Sequence, residues 1–336
     1  MARRERTTAL PRPRPRAVKR DAGRRFAGIE WTESRLRALI IGGAGLLLIA
    51  VLGALGWRIY DQQVRRPEQV VLSVGDEQVR LKYYADRLLP WLQENGQSGQ
   101  STSVLEDALL SKLEEEALTL AIASERGITI TDDDVNQGIA ESLGIQQATS
   151  GGSFDTLYRQ KLDELKMSDS SYRRMTRASV AHDKVIDSIK QEIGDKGEQL
   201  ELRTIVVDSK EKADEILGRI QGGEDMGTIA QSESNDLESR QKDGIMTPQP
   251  ESLLPESVRG AVQGKGAGEL LGPVQVETNW WVFRIERREE MPYTEGQKDQ
   301  LAQDRLDQLI ANQRLKTQPK RSLDADDIAW AEDQVS

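Results

Sequence analysis

A run of 20 uncharged, mostly apolar residues constrains this sequence more than any other feature. Residues 38–57 read ALIIGGAGLLLIAVLGALGW, with Arg35 and Arg37 just before the run and Arg58 just after it. At about 1.5 Å per residue, a helix of this length covers roughly 30 Å, the thickness of the hydrocarbon core of a bilayer. A helix buried in a soluble protein rarely extends so far without a polar face. The run therefore predicts a single transmembrane helix over residues 38–57.

Charge predicts the orientation of this helix. Residues 1–37 contain 12 Arg or Lys against 4 Asp or Glu, whereas the whole chain has a net charge of −10. Short basic segments stay in the cytoplasm and acidic domains are readily translocated. We therefore expect a single-pass protein of the cell membrane. Its N-terminus is expected to lie in the cytoplasm and its C-terminal domains outside the cytoplasm. A cleaved signal peptide is the alternative. The apolar region of a signal peptide usually has ~7–15 residues, which this run exceeds, and no A-x-A cleavage site follows the run. Both observations favour an uncleaved signal-anchor.

The tail before the span, residues 1–37, alternates proline and arginine at positions 11–16. This pattern favours an extended polyproline II segment and prevents a stable helix. Contact with nucleic acid, or docking to a proline-binding module, is one interpretation. A disordered basic tail held near anionic lipid is the simpler one, and we favour it because neither interleaved aromatic residues nor a folded unit accompanies the charges. No nucleic-acid partner is expected.

Residue composition excludes several kinds of site. Cysteine is absent and His182 is the single histidine, which removes disulfides and cysteine metal sites. His182 stands beside Asp183 and Lys184 in a helical pattern, which favours a solvated surface imidazole. The aspartates at 132–134 lack the glycine and distal glutamate of a calcium loop, so we interpret them as helix-capping residues behind Thr131. Neither a metal nor a cofactor is expected.

The remainder of the chain separates into two patterns. A short strand at 70–74 opens residues 66–197, where apolar residues at helical spacing predict helices at 104–126, from 131, at 153–165 and at 168–193, with a loop at 148–153. Residues 199–290 change to strand, helices and hairpin: strands at 200–207, 271–276 and 280–286, a helix capped by Asp208, and helices near 226–230 and 254–262. This order predicts a compact α+β domain.

A further helix, residues 294–316, carries an apolar stripe that includes Ala302, Leu306 and Ile310. The stripe lies beyond the α+β domain and needs a partner, most simply the earlier helical domain. Residues 317–336 are acidic and are predicted to be a disordered tail.

Trp280 and Trp281 are neighbours in the last strand, so one is expected to face the core and the other outward, where it could contact unfolded polypeptide.

Residues 199–290 resemble the parvulin, or PpiC-type, peptidyl-prolyl isomerase domain. The matching segments are LELRTIVV, KADEILGRIQGGEDMGTIAQSESND, LLPESVRGAV and GELLGPVQVETNWWVFRIE. Residues 70–193, chiefly LEDALLSKLEEEALTLAIASERGITITDDDV, resemble the helical chaperone domain of foldases of the SurA and PrsA kind. Together with the transmembrane helix that the apolar run predicts, the resemblance implies an α+β fold class: a mostly helical chaperone-like domain completed by the helix at 294–316, and a parvulin-like (FKBP-like) domain.

The resemblance also implies where an isomerase site would lie. The family carries two histidines, a Cys or Asp, and Met and Phe pocket walls. In this sequence the histidine positions are Thr204 and Trp281, and the acidic position is kept as Asp236. The substrate-binding positions carry other residues as well: Leu253 in place of Met, Ser257 and Val262 in place of Phe, and Thr278 in the turn before the last strand. Rotation about an X-Pro bond needs an apolar seat for the ring and polar groups that favour the twisted amide, so these replacements predict weak or lost isomerase activity.

Three functions follow as hypotheses. The first is a membrane-anchored extracytoplasmic foldase or chaperone, which holds unfolded or newly exported polypeptides in a groove between its two domains. The second is an active peptidyl-prolyl cis-trans isomerase that uses Asp236 and backbone groups. The third is a non-catalytic structural subunit of a membrane complex. The partners expected are exported polypeptides, membrane lipid through residues 38–57, and either a complex partner or a second copy of the chain.

Overall fold

A computed structural model describes residues 25–26, 29–30, 33–96, 101–145 and 152–335. The chain divides into two units, residues 1–65 and 66–336. Most of the predicted basic tail at 1–37 and most of the predicted loop at 148–153 lie outside the described residues.

The first unit contains the long apolar helix. Two-residue strands, β1 (Arg25–Phe26) and β2 (Ile29–Glu30), pair with each other, and helix α1 (Glu33–Tyr60) follows and ends in a π-helical turn at Asp61–Arg65. Residues 40–65 are long and apolar enough to cross a membrane, and no part of this window is buried. At the end of α1 the rings of Trp57 and Tyr60 lie 6.1 Å apart. The apolar side chains of this window are therefore exposed.

The second unit begins with a small sheet. Strand β3 (Val70–Val74) matches the predicted strand, and β4 (Glu77–Arg80) pairs with it through a turn at Gly75, whose φ of +59° suits glycine. The sequence pattern assigned Glu77 to the turn and missed β4, which has a single buried side chain, Val79. Helix α2 (Leu81–Asn95) then follows directly.

The helical part continues with α3 (Thr102–Glu125), α4 (Asp132–Ser142), α5 (Gly152–Leu165) and α6 (Asp169–Ile193). The capping interpretation of the aspartates is confirmed at α4. Thr131 Oγ1 accepts from the Asp134 backbone N–H at 3.2 Å, and Asp134 Oδ2 accepts from the Thr131 backbone N–H at 2.7 Å. The hydrogen bond from Lys184, together with those from Thr131, lowers the pKa of Asp134 to about 2.

The α+β part begins with a long strand, β5 (Lys196–Val207), and helices α7 (Lys210–Gln221), α8 (Met226–Glu233) and α9 (Leu237–Arg240). A 3₁₀ turn at Glu251–Leu253 leads to α10 (Glu256–Val262), and β6 (Leu270–Val276) and β7 (Asn279–Pro292) complete the sheet in the order β5-β7-β6, all antiparallel. The cap of α7 is Ser209, not Asp208 as predicted: Ser209 Oγ accepts from the Lys212 N–H at 3.3 Å.

Both faces of this sheet are covered. Helices α7 and α8 pack on one face, where Ile205 and Val282 are fully buried, and α10 packs on the other, where Leu202 and Phe283 are buried. Trp280 packs half-buried against the first cluster and Trp281 half-buried against the second. The expectation that one tryptophan faces outward is wrong, because side chains alternate between two faces that each have a helical cover.

Helix α11 (Glu295–Thr317) returns to the helical part. Its residues Ala302, Leu306 and Ile310 are buried in the same core as α3 and α6. The prediction that the apolar stripe of α11 packs against the helical part is therefore confirmed. A capping box between Thr294 and Gln297 starts the helix, with hydrogen bonds of 2.9 and 3.2 Å.

Residues 317–335 are folded, so the predicted disordered tail at 317–336 is wrong over the part that the structure describes. Strand β8 (Lys320–Arg321) pairs with β3, and helix α12 (Ala325–Val335) packs on α2. Trp330 and Ala331 are 8 % and 0 % exposed and belong to the main core. The sequence pattern does not reveal α12, because acidic residues are interspersed along it and only a narrow stripe of the helix carries apolar side chains.

Candidate functional site: an open cleft on the α+β part

An open cleft of about 730 Å³ lies where the start of α10 meets the end of β6. Three apolar side chains from the approach to α10 form one wall, namely Leu253, Leu254 and Pro255, and Val276 faces them from β6. Leu254 is only 5 % exposed and joins the apolar cluster beneath the cleft. The wall is therefore anchored in the core, while the cleft itself is open to solvent.

The local sequence explains why the wall stands there. Pro255 lacks a backbone N–H and has an extended conformation, with φ −49° and ψ 142°, so the chain cannot continue the preceding turn as a helix. Helix α10 begins at the next residue, and the Arg259 N–H donates to the Pro255 carbonyl at 2.8 Å. Leu253 lies just before this break and Ser257 just after it, and both line the cleft.

The predicted substrate-binding residues divide into two groups. Leu253 and Ser257 line the cleft, as the resemblance implies. Val262 does not, because it is fully buried at the end of α10, and Thr278 is exposed at the turn beside the lining residue Glu277. The sequence pattern missed the lining carboxylates of Glu256 and Glu277. No short motif marks them, since the cleft brings together two segments that are about 20 residues apart.

The two histidine positions of the family lie on one face of the sheet. Thr204 on β5 pairs with Phe283, and Trp281 on β7 pairs with Val206, so Thr204 and Trp281 are diagonal neighbours. Thr204 is fully buried, and its backbone N–H donates to the Gly244 carbonyl at 2.8 Å, with its hydroxyl 3.5 Å from the same oxygen. Trp281 packs on the apolar cluster and is not among the residues that line the cleft.

Asp236, the retained acidic position, caps a helix. Its carboxylate accepts from the backbone N–H groups of Glu238 and Ser239 at 3.3 and 3.2 Å, and from the Ser239 hydroxyl. Asp236 is not among the residues that line the cleft. The carboxylate thus makes local backbone hydrogen bonds at the start of α9, the interaction typical of an aspartate at an N-cap.

A second cavity, about 690 Å³, lies between the helical and α+β parts of the second unit. Four of its lining side chains are apolar or aromatic, and we call these four the floor: Ile189, Ile193, Tyr293 and Leu301. The other seven lining side chains are charged or polar, and we call them the rim: Glu192, Ser252, Arg259, Asp304, Arg305, Asp307 and Gln308. We call this cavity the interdomain groove.

His182 lies on α6, outside both cavities, with its Nδ1 3.2 Å from Asp183 Oδ1. It is half-buried rather than fully solvated. Over the part of the chain that the structure describes, no group of three or more His, Cys, Asp or Glu residues is placed to hold a metal ion.

Comparison with known families places two domains on this chain. Residues 30–186 match the SurA-like N-terminal domain, and residues 204–287 match the PPIC-type PPIase domain. Chaperone SurA of Yersinia pestis is 25 % identical over 250 residues, which cover 65 % of this chain. Chaperone SurA of Pseudomonas putida is 23 % identical over 252 residues, which cover 66 %. The chain spans 57 % and 59 % of the length of these two relatives.

Solved structures of similar proteins include the peptidylprolyl isomerase PrsA of Bacillus cereus, at 15 % identity and a TM-score of 0.43, covering 80 % of this chain and all of the other. The parvulin NmPin of Nitrosopumilus maritimus is 21 % identical, with a TM-score of 0.24, over 27 % of this chain and 96 % of the other. The two family matches by themselves give the chain a SurA-like N-terminal domain followed by a PPIC-type PPIase domain, which is the SurA-like parvulin architecture.

Proposed function

We propose that this protein is a membrane-anchored extracytoplasmic foldase that holds unfolded or newly exported polypeptides, with isomerase activity that is weak or lost. The observation that carries the proposal is the interdomain groove, an open cavity with an apolar floor and a charged rim. In this assignment residues 66–197 and 294–316 form the holding domain, residues 199–290 form the parvulin-like domain, and residues 38–57 form the anchor.

The groove suits an extended polypeptide rather than a small ligand. Unfolded chains expose apolar side chains at intervals between polar groups, and a floor of Ile193, Tyr293 and Leu301 offers apolar contact over part of the groove only. The rim carries both signs of charge, so it can contact varied side chains without selecting one sequence. A groove of this composition supports weak, exchangeable binding.

Weak isomerase activity is supported by the contacts of the three residues at the family's polar site positions, Thr204, Trp281 and Asp236. Catalysis of X-Pro rotation needs groups that stabilise the twisted amide more than the planar one. The backbone of Thr204 is bonded to Gly244, Trp281 packs on the apolar cluster, and the carboxylate of Asp236 is occupied at a helix cap. None of the three is among the residues that line the cleft.

An active isomerase is a second candidate, because the apolar wall of the cleft at Leu253 and Leu254 provides a seat for a proline ring. A peptide isomerisation assay with the full chain in lipid nanodiscs separates the two proposals. The foldase proposal predicts little acceleration above background. Strong acceleration that Asp236→Ala abolishes would instead establish the isomerase.

Membrane anchoring is supported by the first unit considered by itself. The side chains of Ile41 and Leu46 are each 71 % exposed. Soluble proteins rarely expose an apolar surface as large as that of this helix, and such a surface is typical of a membrane contact. Trp57 and Tyr60 stand together at its end, where aromatic side chains favour the membrane–water interface. Protease added to cells with a permeabilised outer wall should digest residues after the span, whereas protection of that part in intact membranes would contradict the proposed sidedness.

Polypeptide holding is tested with a matched pair of leucines on α11. Leu301 lines the interdomain groove, and Leu315 on the same helix is 76 % exposed and is not among the groove-lining residues. The full chain in nanodiscs is titrated with reduced, carboxymethylated α-lactalbumin, a permanently unfolded protein, and binding is followed by fluorescence anisotropy. Leu301→Asp should weaken binding about tenfold by placing a charge on the apolar floor, and Leu315→Asp should leave it unchanged. Equal binding by both variants would contradict the proposal.

A further inference from the structure

Two carboxylates line the open cleft, and none of the described residues that line it is basic. Glu256 is the first residue of α10, and Glu277 opens the two-residue turn between β6 and β7. Among the described residues, neither carboxylate has a hydrogen bond or ion pair, whereas nearby Glu251 lies 3.0 Å from Arg288. These two charges are therefore free for a ligand in the cleft.

Their positions are fixed by the fold rather than by flexible loops. Glu256 follows Pro255 at the break before α10, and Glu277 follows the last residue of β6, whose pairing with Asn279 closes the turn. Both residues are exposed, and they line the same cleft as the apolar wall of Leu253, Leu254 and Pro255. An apolar seat and a negative rim thus belong to one cavity.

Resting on the proposed function, we propose that this cleft selects prolyl segments in which a lysine or arginine adjoins the proline. The pyrrolidine ring packs on the wall formed by Leu253, Leu254 and Val276, and the neighbouring cation lies between Glu256 and Glu277. The chain's net charge of −10 adds a long-range attraction for such segments. An acidic residue beside the proline is repelled by the same two groups.

The test uses a matched set of short peptides that differ only in the residue before proline, which is Lys, Gln or Glu. Binding to the full chain in nanodiscs is measured by anisotropy at low salt and at high salt. The Lys-Pro peptide should bind about fivefold tighter than the Gln-Pro peptide, as a partly exposed ion pair allows, and the Glu-Pro peptide should bind most weakly. High salt should reduce this spread.

The double variant Glu256→Gln/Glu277→Gln should bring the three peptides to within about twofold of one another. Glu211→Gln is the control, because Glu211 is also an exposed acid in the first turn of a helix, on the opposite face of the sheet. It should keep the full preference. Unchanged thermal unfolding of each variant shows that the fold is retained.

Equal affinity for the three peptides in the unaltered protein, or a preference that survives the double variant, would overturn this inference. So would failure of every prolyl peptide to bind. None of these results changes the binding of carboxymethylated α-lactalbumin to the groove, so failure of the charge preference is distinguishable from failure of the foldase proposal.

Discussion

Arg314 on α11 donates a hydrogen bond of 2.7 Å to the carboxylate of Glu114 on α3, 200 residues earlier in the chain. Glu114 is buried, and Arg321 contacts its other oxygen at 2.8 Å. One carboxylate thereby joins the returning helix and the C-terminal strand to the helical part. The segments that follow the α+β domain in sequence therefore pack back on the helical part and complete its core.

This arrangement predicts an asymmetric effect of mutation. Arg314→Ala/Arg321→Ala should destabilise the protein by about 3 kcal/mol, because it leaves a buried carboxylate unpaired. Glu114→Gln should cost less, about 1 kcal/mol, because both guanidinium groups are partly exposed and can be hydrated. Urea unfolding measures both. A larger loss for Glu114→Gln than for the double arginine variant would contradict this account.

The C-terminal helix is predicted to be part of the core. Trp330→Ala should lower the free energy of unfolding by about 3 kcal/mol, since Trp330 is 8 % exposed and packs among the residues of α2. Asp333→Ala on the same helix is the control, because Asp333 is exposed, and it should have almost no effect. Equal, small effects would mean that α12 is not packed in solution.

Glu106 predicts a pH dependence of stability. Burial, and then the neighbouring Glu332, raise the pKa of Glu106 above its ordinary value, and Glu106 Oε1 has no partner among the described residues. Because the folded state holds this proton more tightly than the unfolded state, the contribution of Glu106 to stability is present at low pH and is lost as pH rises through the raised pKa.

Glu106→Gln should therefore stabilise the protein at pH 7 and remove the pH dependence that begins above the ordinary glutamate pKa of about 4.3. The exposed Glu94→Gln on α2 should leave the profile unchanged. Urea unfolding at a series of pH values measures the difference, and parallel profiles for the unaltered protein and Glu106→Gln would refute the assignment.

A matched pair of glycines tests the packing behind Thr204. Gly244 has φ +81°, and a Cβ there would lie 2.7 Å from the Thr204 carbonyl oxygen and 2.8 Å from Ala230 Cβ. Gly244→Ala should destabilise the fold by about 2–3 kcal/mol. Gly218→Ala, in the exposed interior of α7 with open space around it, should stabilise by about 0.5–1 kcal/mol. Thermal unfolding that shows the same sign for both would contradict the structure.

Sequence patterns predict the elements whose signals are local. The cap at Thr131 and Asp134 and the stripe on α11 depend on residues three or four positions apart, and both lie where expected. Strand β7 extends beyond its predicted end at Glu286 because charged pairs, such as Arg287 with Glu201, replace the apolar alternation there. Such pairing across 86 positions leaves no local signal.

The cleft could be predicted only in part for the same reason. Leu253 and Ser257 follow from the resemblance, since they occupy positions of a known wall. Glu277 could not be found in this way, because it faces the cleft only when the hairpin of β6 and β7 packs beside α10. Strand alternation likewise predicts that one of Trp280 and Trp281 faces outward, because the local pattern does not show that both faces of the sheet are covered.

Hydrogen exchange of the full chain in nanodiscs, with and without carboxymethylated α-lactalbumin, tests the foldase account most directly. The account predicts slower exchange on binding in the segments that line the interdomain groove, residues 189–193 and 301–308, and no change at the distant helix α7. Bound polypeptide that protects other segments while the groove exchanges as before would contradict it.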